Sequence, residues 1–211
     1  MKLSITMFFI FITLFSHKAM AVDFTLGVRG GYQIAPVPTV GGEMFLHFDD
    51  FSIGISHAEG TFDISNDIDD NTLETNVTSV EATASMSLLE FRYFAFWGLN
   101  GSVGIGQRTM GLLFDIRETD NVSTLKGEIL ATTIVASHTF GLEWHFNWWY
   151  FAIDGVGYAY PIQTKTSAES EVSGNLSGNL EVVNDDLKDA AKEMGHVITK
   201  QLFVISFGIL I

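Results

Sequence analysis

The chain has 211 residues, 47% of them hydrophobic, no cysteine and a formal net charge of -14 at pH 7. That length and hydrophobic content suit one folded domain and exclude a disordered chain. The acidity argues against nucleic acid as a partner, because nucleic acids select basic surfaces. Without cysteine, no disulfide can hold the fold together.

Residues 1–21 are predicted to be a secretory signal peptide. Lys2 gives a positive start, Leu3 to Phe15 is an apolar run, and Ala19 to Ala21 matches the small-x-small pattern of a cleavage site. The run of roughly 13 apolar residues is shorter than the ~20 that a spanning helix needs. We therefore expect a mature chain, residues 22–211, that is exported and forms one domain.

The mature chain begins with a pattern of period two, which is typical of a β-strand and not of a helix. Its apolar residues alternate with polar or small ones: Val22, Phe24, Leu26, Val28 and Tyr32 against Asp23, Thr25, Gly27, Arg29 and Gln33. Seven further strand-like segments follow, at about 40–48, 51–62, 79–95, 99–116, 127–146, 149–162 and 199–211. Eight antiparallel strands can close into a small barrel and so remove exposed edges.

The predicted connections alternate in length. Connections two, four and six are short, at residues 47–50, 96–99 and 146–148, whereas the odd ones tend to be longer, at 34–39, 63–78, 117–126 and 163–198. Outer-membrane barrels have short periplasmic turns and longer extracellular loops. The odd connections are therefore expected to face the outside of the cell.

Large aromatic residues gather at the predicted short turns. Amphipathic rings collect at the headgroup level of a bilayer, so a periplasmic aromatic girdle explains them together. A buried hairpin core in a soluble barrel is the alternative, but it would scatter large aromatics along the strands. The predicted girdle consists of Trp97, Trp144, Trp148, Trp149 and Tyr150.

Charges in the middle of a strand are expected to point into the barrel, because Arg or Lys facing lipid at the midplane costs ~2–4 kcal/mol. In the fourth strand the polar residues change face: Glu81, Thr83, Ser85 and Ser87 share one face, whereas Glu90 and Arg92 share the other. A β-bulge near Leu88 and Leu89 is therefore predicted, because one extra residue changes the face of the residues that follow. The predicted lumen contains Arg29, Glu90, Arg92, Arg108, Glu143 and Asp154. A structural plug of ion pairs is favoured over a polar path for small solutes, because eight-stranded interiors are filled by side chains.

With these features the chain resembles the small outer-membrane β-barrel superfamily of Gram-negative bacteria, the OmpA, OmpX and OmpW type. The signal peptide, the eight alternating segments, the aromatic turns and the terminal strand KQLFVISFGILI carry the resemblance at the level of the class. Members of that class usually end in Phe or Trp, which the insertion machinery reads. This chain ends in Ile211, which puts its mode of assembly in question.

Three segments hold candidate chemistry: one for a metal and two for a nucleophile. In Asp63 to Glu74, the oxygen side chains of Asp63, Asp67, Asp69 and Glu74 follow calcium-loop spacing. Ile68 stands where an EF-hand needs Gly, so a solvated acidic loop is favoured over a weak Ca²⁺ or Mg²⁺ site. The pairs Ser56-His57 and Ser137-His138 invite comparison with lipid A deacylases, with Glu59 as a conceivable third member.

The last long connection contains a predicted helix, which Asn184 begins as N-cap and Gly195 ends. It is expected to pack across the barrel mouth, with a lid or a docking surface for a partner as alternatives. SGNLSGNL, at 173–180, precedes the helix as an exposed segment.

The sequence thus predicts an all-β, eight-stranded antiparallel transmembrane β-barrel in the bacterial outer membrane, with a short helix in the last outer loop. The favoured role is structural or surface-interacting and not enzymatic, without a cofactor. A narrow channel for small solutes is the second hypothesis and a lipid-modifying enzyme the third. The expected partners are the bilayer with lipopolysaccharide, the outer-membrane assembly machinery and an extracellular partner at the outer loops, but no nucleic acid.

Overall fold

The computed structural model describes residues 23–34, 36–63, 75–118, 124–173 and 180–211. The eight strands are β1 (Asp23–Ile34), β2 (Val37–His47), β3 (Phe51–Asp63), β4 (Thr75–Phe94), β5 (Leu99–Glu118), β6 (Thr124–His145), β7 (Trp149–Ser173) and β8 (Thr199–Leu210). A helix, α1 (Leu180–His196), lies between β7 and β8. Each strand pairs antiparallel with the next, and β8 pairs with β1 to close the barrel. The predicted fold class is confirmed.

Three tight connections define one end of the barrel, which we call the turn end: residues 48–50, 95–98 and 146–148. Each is closed by a backbone hydrogen bond, such as Phe146 N to Trp149 O at 2.8 Å. In the second turn Trp97 has φ 58° and Gly98 has φ 81°. Gly adopts such left-handed angles without strain, which allows so tight a reversal. The opposite end, where α1 lies, is called the loop end.

The two faces of the sheet differ in composition, as the period of two requires. On β6, residues 137, 139, 141 and 143 are buried inside, whereas Phe140, Leu142 and Trp144 are exposed outside. Every strand exposes large apolar side chains on the outer surface, for example Val28 on β1, Ile55 on β3 and Phe207 on β8. Together they form an apolar belt around the barrel.

The predicted bulge in β4 is wrong. The pairing of β4 is regular from Glu81 to Tyr93 with β3 and from Ser79 to Phe94 with β5, so the face does not change at residues 88 and 89. Val80, Ala84, Met86 and Leu88 point inward with Glu90 and Arg92, and the polar residues 81–87 of the other parity point outward. The reason is that an apolar cluster fills the part of the interior that this stretch of β4 faces.

All four of the longer predicted connections are shorter in the structure, because the strands beside them extend further than predicted. β1 and β2 are separated by residues 35–36 only, because the alternation continues through Thr39 and Val37, and Ile34 pairs with Val37. β7 continues to Ser173 instead of ending at Ile162, since its polar residues keep pairing with β6. A register shift at Ile134/Val135 accommodates Pro161, which cannot donate to the ladder.

The helix α1 begins at Leu180, four residues before the predicted start, so Asn184 lies inside the helix and is not its N-cap. Polar residues also occur inside helices, which makes residue type a weak guide to a helix start. Ala191 is fully buried, and α1 packs on the neighbouring strands β6 and β7, which form one side of the mouth. Within the described ranges, no helix combines the length and the apolar character needed to span a bilayer.

Candidate functional site

The interior toward the turn end holds six charged side chains from five strands, which we call the charge cluster. Each of these side chains is nearly inaccessible to solvent. Its members are Arg29 of β1, Glu43 of β2, Glu90 and Arg92 of β4, Glu143 of β6 and Asp154 of β7.

Arg92 is the centre of the charge cluster. Its guanidinium donates to Glu143 Oε2 at 2.9 Å and to Glu43 Oε2 at 3.2 Å, and it lies 4.0 Å from the centre of the Phe45 ring. Arg29 donates to Glu90 Oε1 at 3.1 Å and to Asp154 Oδ2 at 3.5 Å. Charge-assisted bonds of this kind join strands that are not neighbours in the sheet.

Five of the six predicted lumen residues therefore meet in the charge cluster, and Arg108 does not. Glu43 belongs to it but was missed, although it is a charge in the middle of a predicted strand and the same rule applies. Its alternation with Thr39, Phe45 and His47 would have placed it inside.

Tyr150 lies inside the barrel and not at the outer surface, where the sequence predicted it. Only 1% of its surface is exposed, and its hydroxyl donates to Glu43 Oε1 at 2.7 Å. It shares the inward parity of Ala152 and Asp154 on β7. The other predicted girdle residues lie outside at the turn end: Trp97 is 90% exposed, Trp144 stacks on Phe151, Trp148 is exposed, and Trp149 stacks on Phe146.

Arg108 makes a separate contact at the loop end. Its guanidinium donates to the carbonyl oxygens of Gly195 and Val197, both at 2.8 Å, and to Thr199 Oγ1 at 2.9 Å. The C-terminal carbonyls of a helix carry partial negative charge and need donors. Arg108 therefore ties the end of α1 to the wall of the barrel.

An apolar cluster fills the interior on the loop-end side of the charge cluster. Met86 and Leu88 belong to it, and they precede Glu90 on β4, which runs toward the turn end. The cluster consists of Ile34, Val37, Ala84, Met86, Leu88, Val135 and Ala159. Side chains, not water, thus fill this level of the barrel.

At the turn end the barrel opens into a cavity of about 320 Å³. Two imidazoles and one carboxylate meet there: His47 at the end of β2, with Glu143 and His145 on β6. His145 Nε2 lies 2.5 Å from Glu143 Oε1, whereas Glu143 Oε2 accepts from Arg92. The sequence pattern did not reveal this group, because His47 and His145 are far apart in the chain.

The candidate nucleophile pairs are separated by the sheet. Ser56 is buried inside, where its hydroxyl bonds to Glu90, whereas His57 points outward. His57 Nδ1 instead lies 2.7 Å from the hydroxyl of Ser87 on β4, and its Nε2 lies 3.8 Å from Glu59. The second pair is divided in the same way, with Ser137 inside and His138 packed on Tyr158 and Tyr160 outside.

Most of the acidic loop with calcium-loop spacing lies outside the described residues. Asp67, Asp69 and Glu74 are in that undescribed part. Asp63 is the last residue of β3 and is exposed. The weak divalent-cation site in this loop stays a prediction.

No family model and no curated protein matches the chain. Among solved structures, Acinetobacter baumannii CarO2 is similar over 92% of this chain and 100% of its own, with 14% identity and a TM-score of 0.51. A major outer membrane protein from Thermus thermophilus is similar over 90% of this chain and 100% of its own, with 10% identity and a TM-score of 0.53. At such identities the likeness supports the fold alone.

Proposed function

We propose that this chain is an outer-membrane β-barrel whose lumen is sealed by its own side chains, and that it acts through its surface, without enzymatic activity. The interior carries this proposal: the charge cluster, the apolar cluster and the contact of Arg108 with α1 follow one another along the barrel.

The apolar belt supports a place in a bilayer. Leaving one Val, Leu, Ile or Phe side chain in water instead of burying it costs about 1.5–3 kcal/mol, and all eight strands carry such side chains outside. On β6 the belt extends from Ile134 to Trp144, which matches the ~9–11 residues of a transmembrane strand. The exposed tryptophans at the turn end match an interfacial girdle.

The geometry of the charge cluster favours a plug over a pore. Arg92 is 1% exposed and is held by carboxylates from β2 and β6, so moving it aside would leave buried charges without partners. Breaking a buried ion pair in this way costs about 3–5 kcal/mol. Such a side chain stays in place and does not act as a gate that opens on its own.

Single-channel recording on the mature chain, refolded into planar bilayers with its β-content verified, tests the sealed lumen. We expect a silent bilayer, with a porin in the same membrane as the positive control. Arg92→Ser, which removes the central side chain, is the matched variant and is expected to stay silent as well, because the apolar cluster still fills the barrel on its loop-end side. Stable stepwise currents from the unaltered chain would overturn the proposal in favour of the channel.

The surface role is supported by the charge of the loop end. Among the residues that the structure describes there, exposed carboxylates outnumber exposed amines: Glu59, Asp63, Glu81, Glu128, Glu169, Glu171, Asp185, Asp186, Asp189 and Glu193 against Lys126, Lys165, Lys188, Lys192 and Lys200. Complementary charge steers association and selects partners. The proposed extracellular partner is therefore positively charged.

Adsorption of cells or phage to bacteria that display the chain tests the surface role. The double variant Glu169→Lys/Glu171→Lys is expected to reduce adsorption at least tenfold, and Thr166→Ala on the same strand is expected to leave it unchanged. Equal adsorption by both variants would exclude this face as the binding surface.

A further inference from the structure

The two histidines of the group His47, Glu143 and His145 at the turn end lie outside the charge cluster, which shares only Glu143 with this group. One ligand atom from each lies within 4.8 Å of the others, and the imidazole rings of His47 and His145 are 4.7 Å apart between centres. Two imidazoles and a carboxylate are a common ligand set for Zn²⁺ and related transition metals.

His47 is held in the orientation of a metal ligand. The Thr25 hydroxyl lies 2.9 Å from His47 Nε2 and 3.5 Å from the Phe45 carbonyl oxygen. When its proton points to that carbonyl, the hydroxyl accepts from Nε2–H, and Nδ1 then carries the free lone pair that a metal requires. A hydrogen bond to the second ring nitrogen is the usual way in which a metal-binding histidine is oriented.

The Nδ1 atom of His47 has no hydrogen-bond partner within the described part of the chain, although the residue is only 6% exposed. Its nearest charged neighbour there is Glu143 Oε1 at 3.9 Å, which is also an acceptor. Two lone pairs that face each other in a buried site leave the nitrogen unsatisfied, and a buried polar atom without a partner costs about 1–3 kcal/mol. A cation between them would satisfy both atoms.

The neighbouring charge cluster favours a cation at the same place. It sets two guanidinium groups, of Arg29 and Arg92, against four carboxylates, and Glu143 is shared between the cluster and the histidines. Carboxylates therefore outnumber guanidinium groups in the charge cluster. A cation beside Glu143 would offset part of this excess.

We propose that His47 Nδ1, Glu143 Oε1 and His145 Nε2 bind one divalent transition-metal ion of the Zn²⁺ class at the turn end. Metal–ligand bonds are about 2.0–2.2 Å long, so two ligands of one ion are separated by roughly 3–3.5 Å. Small side-chain rotations from the present spacing reach that geometry. A fourth position faces the cavity, which Asp23 and Asp49 also line, so it is open to a ligand from solvent.

The ion joins strands that do not pair in the sheet. His47 ends β2 and His145 ends β6, whereas β2 pairs with β1 and β3. A metal ion bound there therefore links β2 to β6. Because it binds only the folded state, it raises the free energy of unfolding by mass action. The site does not depend on whether the lumen conducts.

Zn²⁺ titration of the mature chain in detergent micelles, without an oligohistidine tag and against a chromophoric chelator, tests the site. We expect one Zn²⁺ per chain and a rise in the midpoint of thermal unfolding that a stronger chelator reverses. Co²⁺ in place of Zn²⁺ is expected to give the visible absorption of a tetrahedral site. His145→Ala should weaken Zn²⁺ binding at least tenfold, because it removes one ligand from the more accessible edge of the site.

His57→Ala and His138→Ala are the matched controls, since both histidines lie on the outer surface away from the cavity. Both are expected to bind Zn²⁺ like the unaltered chain. His145→Gln serves as a second variant if His145→Ala does not fold, which the β-content reports. Binding that is absent, or that is equal in the His145 variants and the unaltered chain, would overturn the proposal.

Discussion

The hydroxyl of Tyr150 donates a hydrogen bond to Glu43 Oε1 at 2.7 Å and so joins β7 to β2 across the interior. These two strands do not pair in the sheet, and the residues are 107 positions apart. Only a closed barrel brings them together. The contact holds Glu43 in place for its ion pairs with Arg29 and Arg92.

Tyr150→Phe is expected to destabilise the barrel by about 1–3 kcal/mol, because it leaves a buried carboxylate oxygen without that donor. Urea unfolding in detergent micelles measures the effect. Tyr93→Phe is the control: Tyr93 is exposed on the outer face, and its loss of a hydroxyl should change stability by less than about 0.5 kcal/mol. Equal effects of the two substitutions would mean that the Glu43 contact contributes nothing.

Arg92→Met should destabilise the barrel more strongly, by about 3–5 kcal/mol, since it leaves buried carboxylates without their main partner. The double variant Arg92→Met/Glu143→Gln removes one of those charges and is expected to regain part of the loss. The same unfolding assay on both variants and on Glu143→Gln alone gives the coupling energy. Additive effects would contradict a direct interaction between Arg92 and Glu143.

Arg108→Leu should loosen α1 without opening the barrel. The substitution removes donors to the carbonyls of Gly195 and Val197, and hydrogen bonds from a charged group contribute about 1.5–3 kcal/mol. Amide exchange in residues 185–196 is expected to become at least about tenfold faster, because local opening then costs less. Strands β1 to β4 should exchange as before.

Lys188→Ala is the control for this measurement, since Lys188 is exposed on the same helix and pairs with Asp185 one turn away. Equally accelerated amide exchange in Lys188→Ala, or an unchanged exchange rate in Arg108→Leu, would show that Arg108 does not anchor the helix.

The enzyme hypothesis has its own test, and the structure changes which residue it concerns. We expect no release of fatty acid when the folded chain is incubated with lipid A or phospholipid vesicles. If hydrolysis occurred, Ser87→Ala and His57→Ala should each abolish it, because the side chains of Ser87 and His57 meet on the outer face. Ser56→Ala would leave it intact, since Ser56 is inside. That pattern would refute the non-enzymatic proposal.

The inward positions of Glu43 and Tyr150 could both have been predicted from the alternation of residues along their strands. The rule that mid-strand charges point inward places Arg29, Glu143 and Asp154 correctly, and it applies equally to Glu43. The inward position of Asp154 also implies that of Tyr150, because the two residues have the same parity. For both residues, the period of two along the strand indicates a side chain that faces the interior.

The error in β4 has another cause. The rule that polar residues face inward holds only where lipid surrounds the barrel. Beyond the apolar belt the outer face meets water and becomes polar, as at Glu81 and Ser85, and the interior there is filled by Ala84 and Met86. Along β4 the inner face therefore changes from apolar to polar toward the turn end and the outer face from polar to apolar, without any bulge.

The eight strands, the closed antiparallel barrel and most of the inward-facing charges could be predicted from the sequence, because alternation and the cost of a charge in lipid act within each strand. The position of Arg108, which anchors a helix apart from the other charges, depends instead on the tertiary structure. The same holds for the contacts of His57 with Ser87 and of His47 with His145. These contacts depend on strand register and on closure of the ring, which bring distant strands together and leave no periodic signal in any one of them.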